Sequence, residues 1–163
     1  MEPKKINMQE KIFLTDEDIE AIVKGENTDY EDVMKYAPYM EKGIVPQLTC
    51  LPVRIGKYEV EFSFPYFTTY CKAIGQPDYA ALSIRIIPDG QILEMKSLKM
   101  YLQGFRNMDI YQEEATNVIF IDMVRTCKPL YMSIDAIWDP RGSMGTNVHI
   151  VYKNQKFIAD EIR

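Results

Sequence analysis

"KYEVEFSFPYFTTYCKAIGQPDYAALSIRIIPDG", residues 57–90, decides the fold. Tyr58, Val60, Phe62 and Phe64 alternate with Glu59, Glu61 and Ser63, the period-two pattern of a half-buried strand. Further on, Leu82, Ile84 and Ile86 fall on one side of a second extended run, which ends at Asp89-Gly90, a hairpin signal. Between the runs, Gly75-Gln76-Pro77 cannot be helix interior. The stretch therefore predicts two strands around a tight turn, with a thiol, Cys71, on one side and a carboxylate, Asp78, on the other.

Downstream, "SLKMYLQGFRN" is rich in helix formers, and "EEATNVIFIDMVRTC" places Val118, Ile121, Met123 and Val124 near helical spacing before Lys128-Pro129 stops it. Alternation returns in "YMSIDAIW" and "NVHIVY", and "DPRGSMGT" between them, with Pro140, Gly142 and Gly145, marks a loop. The order strand, strand, helix, helix, strand, strand gives an α+β domain. Upstream, Thr15 caps a short helix whose first turn carries Asp16, Glu17 and Asp18, and Gly25 suits its end. The stretch from 26 to 56, broken by Pro38, Pro46 and Pro52, reads mainly as loop or extended chain. Residues 1–52 are thus expected to form an arm with one short helix packed on a core domain, residues 53–163.

With 163 residues, 47% of them hydrophobic and 26% charged, the chain suits one domain with a sizeable core. No apolar run approaches the roughly 20 residues of a membrane helix, and the N-terminal stretch does not read as a secretory signal. Cys50, Cys71 and Cys127 are odd in number, far apart and free of any CxxC pair. That spacing argues against a disulfide framework and a thiolate zinc site, and for a reducing compartment, the cytoplasm. A net charge of −5 disfavours a broad nucleic-acid face while leaving room for a local basic pocket that holds a phosphate.

A lone cysteine is ordinarily a small buried hydrophobe, but a thiol beside a turn, with Lys72 and Asp78 near it, has what a nucleophile needs: access, charge and a proton relay. Glu113 and Glu114 at a helix start are favoured by the helix dipole whatever else they do. Glu94, Lys96 and Lys99 read first as a solvated helix face, Arg141 as a loop arginine able to grip a phosphate, and His149, the sole histidine, as a packing or hydrogen-bonding strand residue. There is no GxSxG for a serine hydrolase, no GxGxxG for a dinucleotide fold, and no cluster for a metal.

In this order, "CKAIGQPDYA", "EMKSLKMYLQGFRN", "YQEEATN" and "DPRGS" resemble the short, single-module NADPH-dependent 7-cyano-7-deazaguanine reductases, the nitrile reductases of queuosine biosynthesis, over about residues 36–149. The resemblance implies the tunnel fold: an antiparallel four-stranded sheet with two helices on one face, subunits joining their sheets into a barrel, and active sites at the interfaces of a homo-oligomer. It implies that Cys71 attacks the nitrile carbon of a small deazapurine to give a thioimide while Asp78 protonates nitrogen. Glu113, with Gln112 beside it, would hold the heterocycle; Glu94, Lys96, Ser97, Lys99 and Arg141 match the signature linked with NADPH. Neither a metal, a membrane nor direct nucleic-acid contact is implied. Gln112 stands where the family usually has histidine, and Lys72 where proline commonly follows the nucleophile. A related archaeal branch, which completes the same thioimide with ammonia on transfer RNA, lacks the lysine signature; a non-catalytic deazapurine binder is the remaining alternative.

Overall fold

The computed structural model describes residues 13–25, 39–56 and 58–161. The readings made for residues 1–12 and 26–38 lie outside them.

The alternation after residue 58 builds β2 (Val60–Cys71), which pairs antiparallel with β3 (Gln76–Ile87). β5 (Tyr131–Arg141) and β6 (Met144–Lys153) complete one antiparallel sheet in the order β2-β3-β5-β6. Because side chains alternate across a strand, one face collects Phe67, Ala80, Leu82, Ile84, Met132, Ile134 and Trp138, all buried, while Glu61, Tyr79, Arg85, Ile137 and His149 lie exposed on the other. On the exposed face His149 Nδ1 bonds the Asp135 carboxylate at 2.6 Å.

Both expected long helices cover the buried face. α2 (Met95–Gln103) buries Leu98, Tyr101 and Leu102; α3 (Gln112–Cys127) is buried on nearly all sides, as an apolar helix between a sheet and other segments must be. Tyr101 Oη donates to the buried Asp122 carboxylate at 2.6 Å and ties the two together. α3 ends at Lys128, in the left-handed region at φ 46°, before Pro129.

Three local readings change. The Asp89-Gly90 turn makes no hairpin, because the strand after it, β4 (Gln91–Leu93), pairs with β1 (Cys50–Pro52) in a separate two-stranded sheet. Gln76 and Pro77 belong to β3, so the turn after Cys71 is residues 72–75 alone. "DPRGSMGT" is almost all strand, since β5 runs through Arg141 and β6 starts at Met144. A further short element, α4 (Gln155–Glu161), buries no residue and left no periodic trace.

The N-terminal helix forms where the sequence places it, α1 (Asp16–Lys24), with Thr15 and Asp18 in a reciprocal capping box and Gly25 in the left-handed region. Leu14 bridges to β6, its N–H donating to the Val151 carbonyl at 2.7 Å, and Ile19 enters the core. Val45 and Pro46 press on the end of α2, where a Cβ on Gly104 would stand 2.9 Å from Pro46 Cδ and 3.1 Å from the Tyr101 carbonyl. A ring carbon and a backbone oxygen cannot swing aside, so Gly104→Ala is expected to cost about 1–3 kcal/mol by overpacking. Equilibrium denaturant unfolding measures it.

Candidate active site

Register puts the thiol and the carboxylate together. Thr69 pairs with Asp78 and Cys71 with Gln76, so Cys71 and Asp78 are diagonal neighbours on the helix-bearing face at the end of the sheet, a separation of about 7–8 Å between backbones. The turn between them is closed by Gly75 N–H donating to the Cys71 carbonyl at 2.9 Å, with Gly75 at φ 69°, which favours glycine.

The chain between α2 and α3 crosses this sheet end. Tyr70 N–H donates to the Met108 carbonyl at 3.0 Å, and the Asp109 carboxylate accepts from Lys72 N–H at 3.0 Å. The crossing fixes where α3 begins. Deeper in, the Trp138 indole donates to Thr116 Oγ1 at 3.3 Å, and that hydroxyl donates to the Gln112 carbonyl at 2.9 Å, holding the first turn of α3 over β5. From there Gln112 Nε2 donates to Asp78 Oδ1 at 2.9 Å.

Arg141 reaches the same oxygen, its Nε paired with Asp78 Oδ1. A β-bulge explains how. Trp138 pairs with Thr146 and Arg141 with Met144, three steps along β5 against two along β6. The extra residue flips the alternation, so Arg141 faces the same side as Trp138, and Pro140 sits where a missing N–H is tolerated.

Around these groups lies a cleft of about 360 Å³ lined by Cys71, Asp78, Asp109, Gln112, Glu113 and Arg141, among others. That is at the small end for ligand sites and suits one heterocycle. Asp78 is only 5% exposed. Glu113 is exposed at the rim; Glu114 beside it is half-buried, and burial pushes its carboxyl up. Tyr39 is pushed up by burial and by Glu114. A second hollow of about 240 Å³, beside the β2 bulge at Pro65 and Tyr66, holds neither thiol nor carboxylate.

The lysine signature divides. Glu94 is the cap of α2, its carboxylate accepting from Lys96 N–H and Ser97 N–H at 2.7 Å each, which holds it below the usual carboxylate range. Ser97 Oγ accepts from Thr49 N–H at 3.1 Å. These two are engaged in fixing the helix start and are not on an open helix face. Lys96 and Lys99 are exposed and one turn apart, and Lys96 sits close enough to Glu94 for its charge to help hold that carboxyl low. They do not line the cleft, whereas Arg141, grouped with them by resemblance, does. Asp109 and the Trp138–Thr116 link escaped the sequence reading; Pro140 inside an alternating run was the available sign of the bulge.

The sequence profile of the QueF-like protein family matches residues 77–157, from the start of β3 to α4. An NADPH-dependent 7-cyano-7-deazaguanine reductase of Rhodopirellula baltica is 38% identical over 104 residues, 64% of this chain and 86% of the relative. The chain belongs to this QueF-like family. A reductase of the same name from Thermomicrobium roseum is 45% identical over 96 residues, covering 59% of this chain and 75% of that one. Among solved structures, the apo form of the archaeosine synthase QueF-Like superposes with a TM-score of 0.52 over 61% of this chain and 96% of that chain, at 15% identity. At that identity the likeness carries the fold alone, and it is the tunnel fold. Within the family's matched span lie Asp78, both signature lysines, Gln112 and Arg141; Cys71 stands just ahead of it.

Proposed function

We propose that the protein reduces the nitrile of 7-cyano-7-deazaguanine to the aminomethyl group with NADPH. The observation that carries this reading is the placement of one thiol, Cys71, and one buried carboxyl, Asp78, on the same face and end of one sheet, over a cleft sized for a single heterocycle. A nitrile carbon is attackable only as charge building on nitrogen is neutralised, so nucleophile and acid must address opposite atoms of one C≡N group. Cys71 sulfur bonds the carbon, one C–N π pair moves to nitrogen, and nitrogen takes a proton from Asp78. One proton, shared by thiol and carboxyl at the start, ends on nitrogen, and the product is a thioimide on Cys71.

Glu113 is the acceptor for the ring N–H and amine donors of the heterocycle, a charged partner such a face favours. Gln112, where histidine is usual, keeps Asp78 oriented through its amide donor. The donor set on α2 fits a dinucleotide: Lys96 and Lys99 present two exposed ammonium groups suited to phosphates. NADPH, when bound there, supplies the two hydrides that convert the thioimide to the primary amine. Since these lysines lie off the cleft, the site is completed by another copy of the chain. β2 and β6 are the edge strands that such a copy would extend, giving a homo-oligomer. Among the described residues no helix is long and apolar enough to cross a membrane, and the three free cysteines suit the cytoplasm.

Intact-mass analysis tests the reading. Incubation with the nitrile alone should add one molecule of it per chain, and adding NADPH should remove the adduct as the cofactor is oxidised. No mass gain would overturn the proposal. Lys96→Ala with Lys99→Ala should leave adduct formation unchanged while raising the NADPH KM at least about tenfold, the loss of roughly 1.4 kcal/mol of charged contact. Steady-state kinetics at varied NADPH checks it.

A further inference from the structure

Among the described residues, two buried side-chain polar atoms have no hydrogen-bond partner, Thr69 Oγ1 and Arg141 Nη2. Both belong to neighbours of Asp78: Thr69 is its cross-strand partner, and Arg141 pairs with its Oδ1. Buried polar groups are nearly always satisfied, so an arginine held with one nitrogen unpaired is being placed for a reason other than its own hydrogen bonding. The backbone supplies the same indication, since a bulge at Asp139–Pro140 is what turns Arg141 towards Asp78.

The carboxylate is constrained unevenly. Gln112 Nε2 and Arg141 Nε both donate to Oδ1, and among the described residues no side-chain donor reaches Oδ2. With both donors on one oxygen, a proton carried by Asp78 resides on the other. We propose that Arg141 is a positioning residue for the first chemical step: by holding Oδ1 it fixes the Asp78 carboxyl so that Oδ2 delivers the proton to the nitrile nitrogen as Cys71 adds to carbon. This rests on the reductase reading of Cys71 and Asp78, and differs from a cofactor-binding task for Arg141. In the step, the one proton shared by thiol and carboxyl starts on Oδ2 with Cys71 as thiolate; the S–C bond forms, the π pair goes to nitrogen, and nitrogen takes that proton from Oδ2, leaving Asp78 as carboxylate. No hydride is involved, so the contribution of Arg141 is visible without NADPH.

The experiment measures the rate of adduct formation with 7-cyano-7-deazaguanine by acid quench and intact mass, without NADPH, for wild type, Arg141→Gln, Arg141→Lys, Asp78→Asn and the Asp78→Asn/Arg141→Gln double variant. Arg141→Gln should slow the wild-type reaction about ten- to a hundredfold, as small displacements of a reacting group do. It should slow the Asp78→Asn protein no further, because there is then no proton to position. Arg141→Lys, which keeps the charge but loses the planar fork, should fall between, and serves as the readout if the glutamine variant does not fold. An unchanged adduct rate in both Arg141 variants, with a raised NADPH KM, would overturn the proposal and assign Arg141 to the cofactor. An equal loss in the Asp78→Asn background would overturn it in favour of general support of the fold. Absence of any adduct in the wild type would remove the reductase reading itself, and the positioning role with it.

Discussion

Replacing Cys71 by alanine is expected to abolish both the covalent adduct and nitrile reduction while leaving the unfolding transition close to that of the wild type. Cys71 sits at the end of β2 and opens onto the cleft. The other thiols are poor substitutes. Cys127 is fully buried and burial pushes its thiol far up; Cys50 is half-buried and raised for the same reason. Since the thiolate is the nucleophile, both are held in the unreactive form. Peptide mapping of the wild-type adduct should place it on the peptide holding Cys71. An adduct on either of the other two would refute the assignment.

Asp78→Asn should slow adduct formation by about 10²–10⁴-fold, the usual worth of a positioned general acid. The substitution is a clean one, because asparagine keeps an oxygen able to accept from Gln112 and Arg141, so packing at this buried position is preserved while the transferable proton is lost. Substrate affinity, measured by calorimetry in a Cys71→Ala background, should change little. A rate within twofold of wild type would mean that the proton comes from elsewhere, and the half-buried Glu114 would be the next group to test.

The parts of the fold legible in the sequence are those whose signal is local. The alternation of Val60, Phe62 and Phe64, and of Leu82, Ile84 and Ile86, gave β2 and β3 because one face of each strand is buried and the other is not. Val118 to Val124 gave α3, and Thr15 with Gly25 gave both ends of α1. Three-residue strands such as β1 and β4 have no period to detect, and the exposed α4 has no apolar stripe. The Asp89-Gly90 pair has the turn chemistry of a hairpin, but which sheet the next strand joins is settled by distant partners.

At the site, Cys71 and Asp78 were legible as a pair because one short turn separates them. The convergence of Gln112 and Arg141 on Asp78 was not. It depends on strand register, on the Trp138–Thr116 link that seats α3, and on a bulge that reverses the facing of Arg141. Asp-Pro-Arg-Gly reads as loop because proline and glycine punctuate loops, yet here the proline occupies a bulge and the arginine ends a strand. The residues that resemblance joined into one cofactor signature were likewise separated by tertiary structure, with Glu94 and Ser97 fixing a helix start, the two lysines facing solvent and Arg141 in the cleft.

The most direct test of the central claim is the ratio of NADPH oxidised to aminomethyl product formed, followed by absorbance and chromatography in one reaction of the wild-type protein with 7-cyano-7-deazaguanine. A nitrile becomes a primary amine by taking up two hydrides, so the account predicts two NADPH oxidised for each amine produced. An adduct on Cys71 that persists with no NADPH oxidised, or that is discharged by ammonia instead, would contradict it.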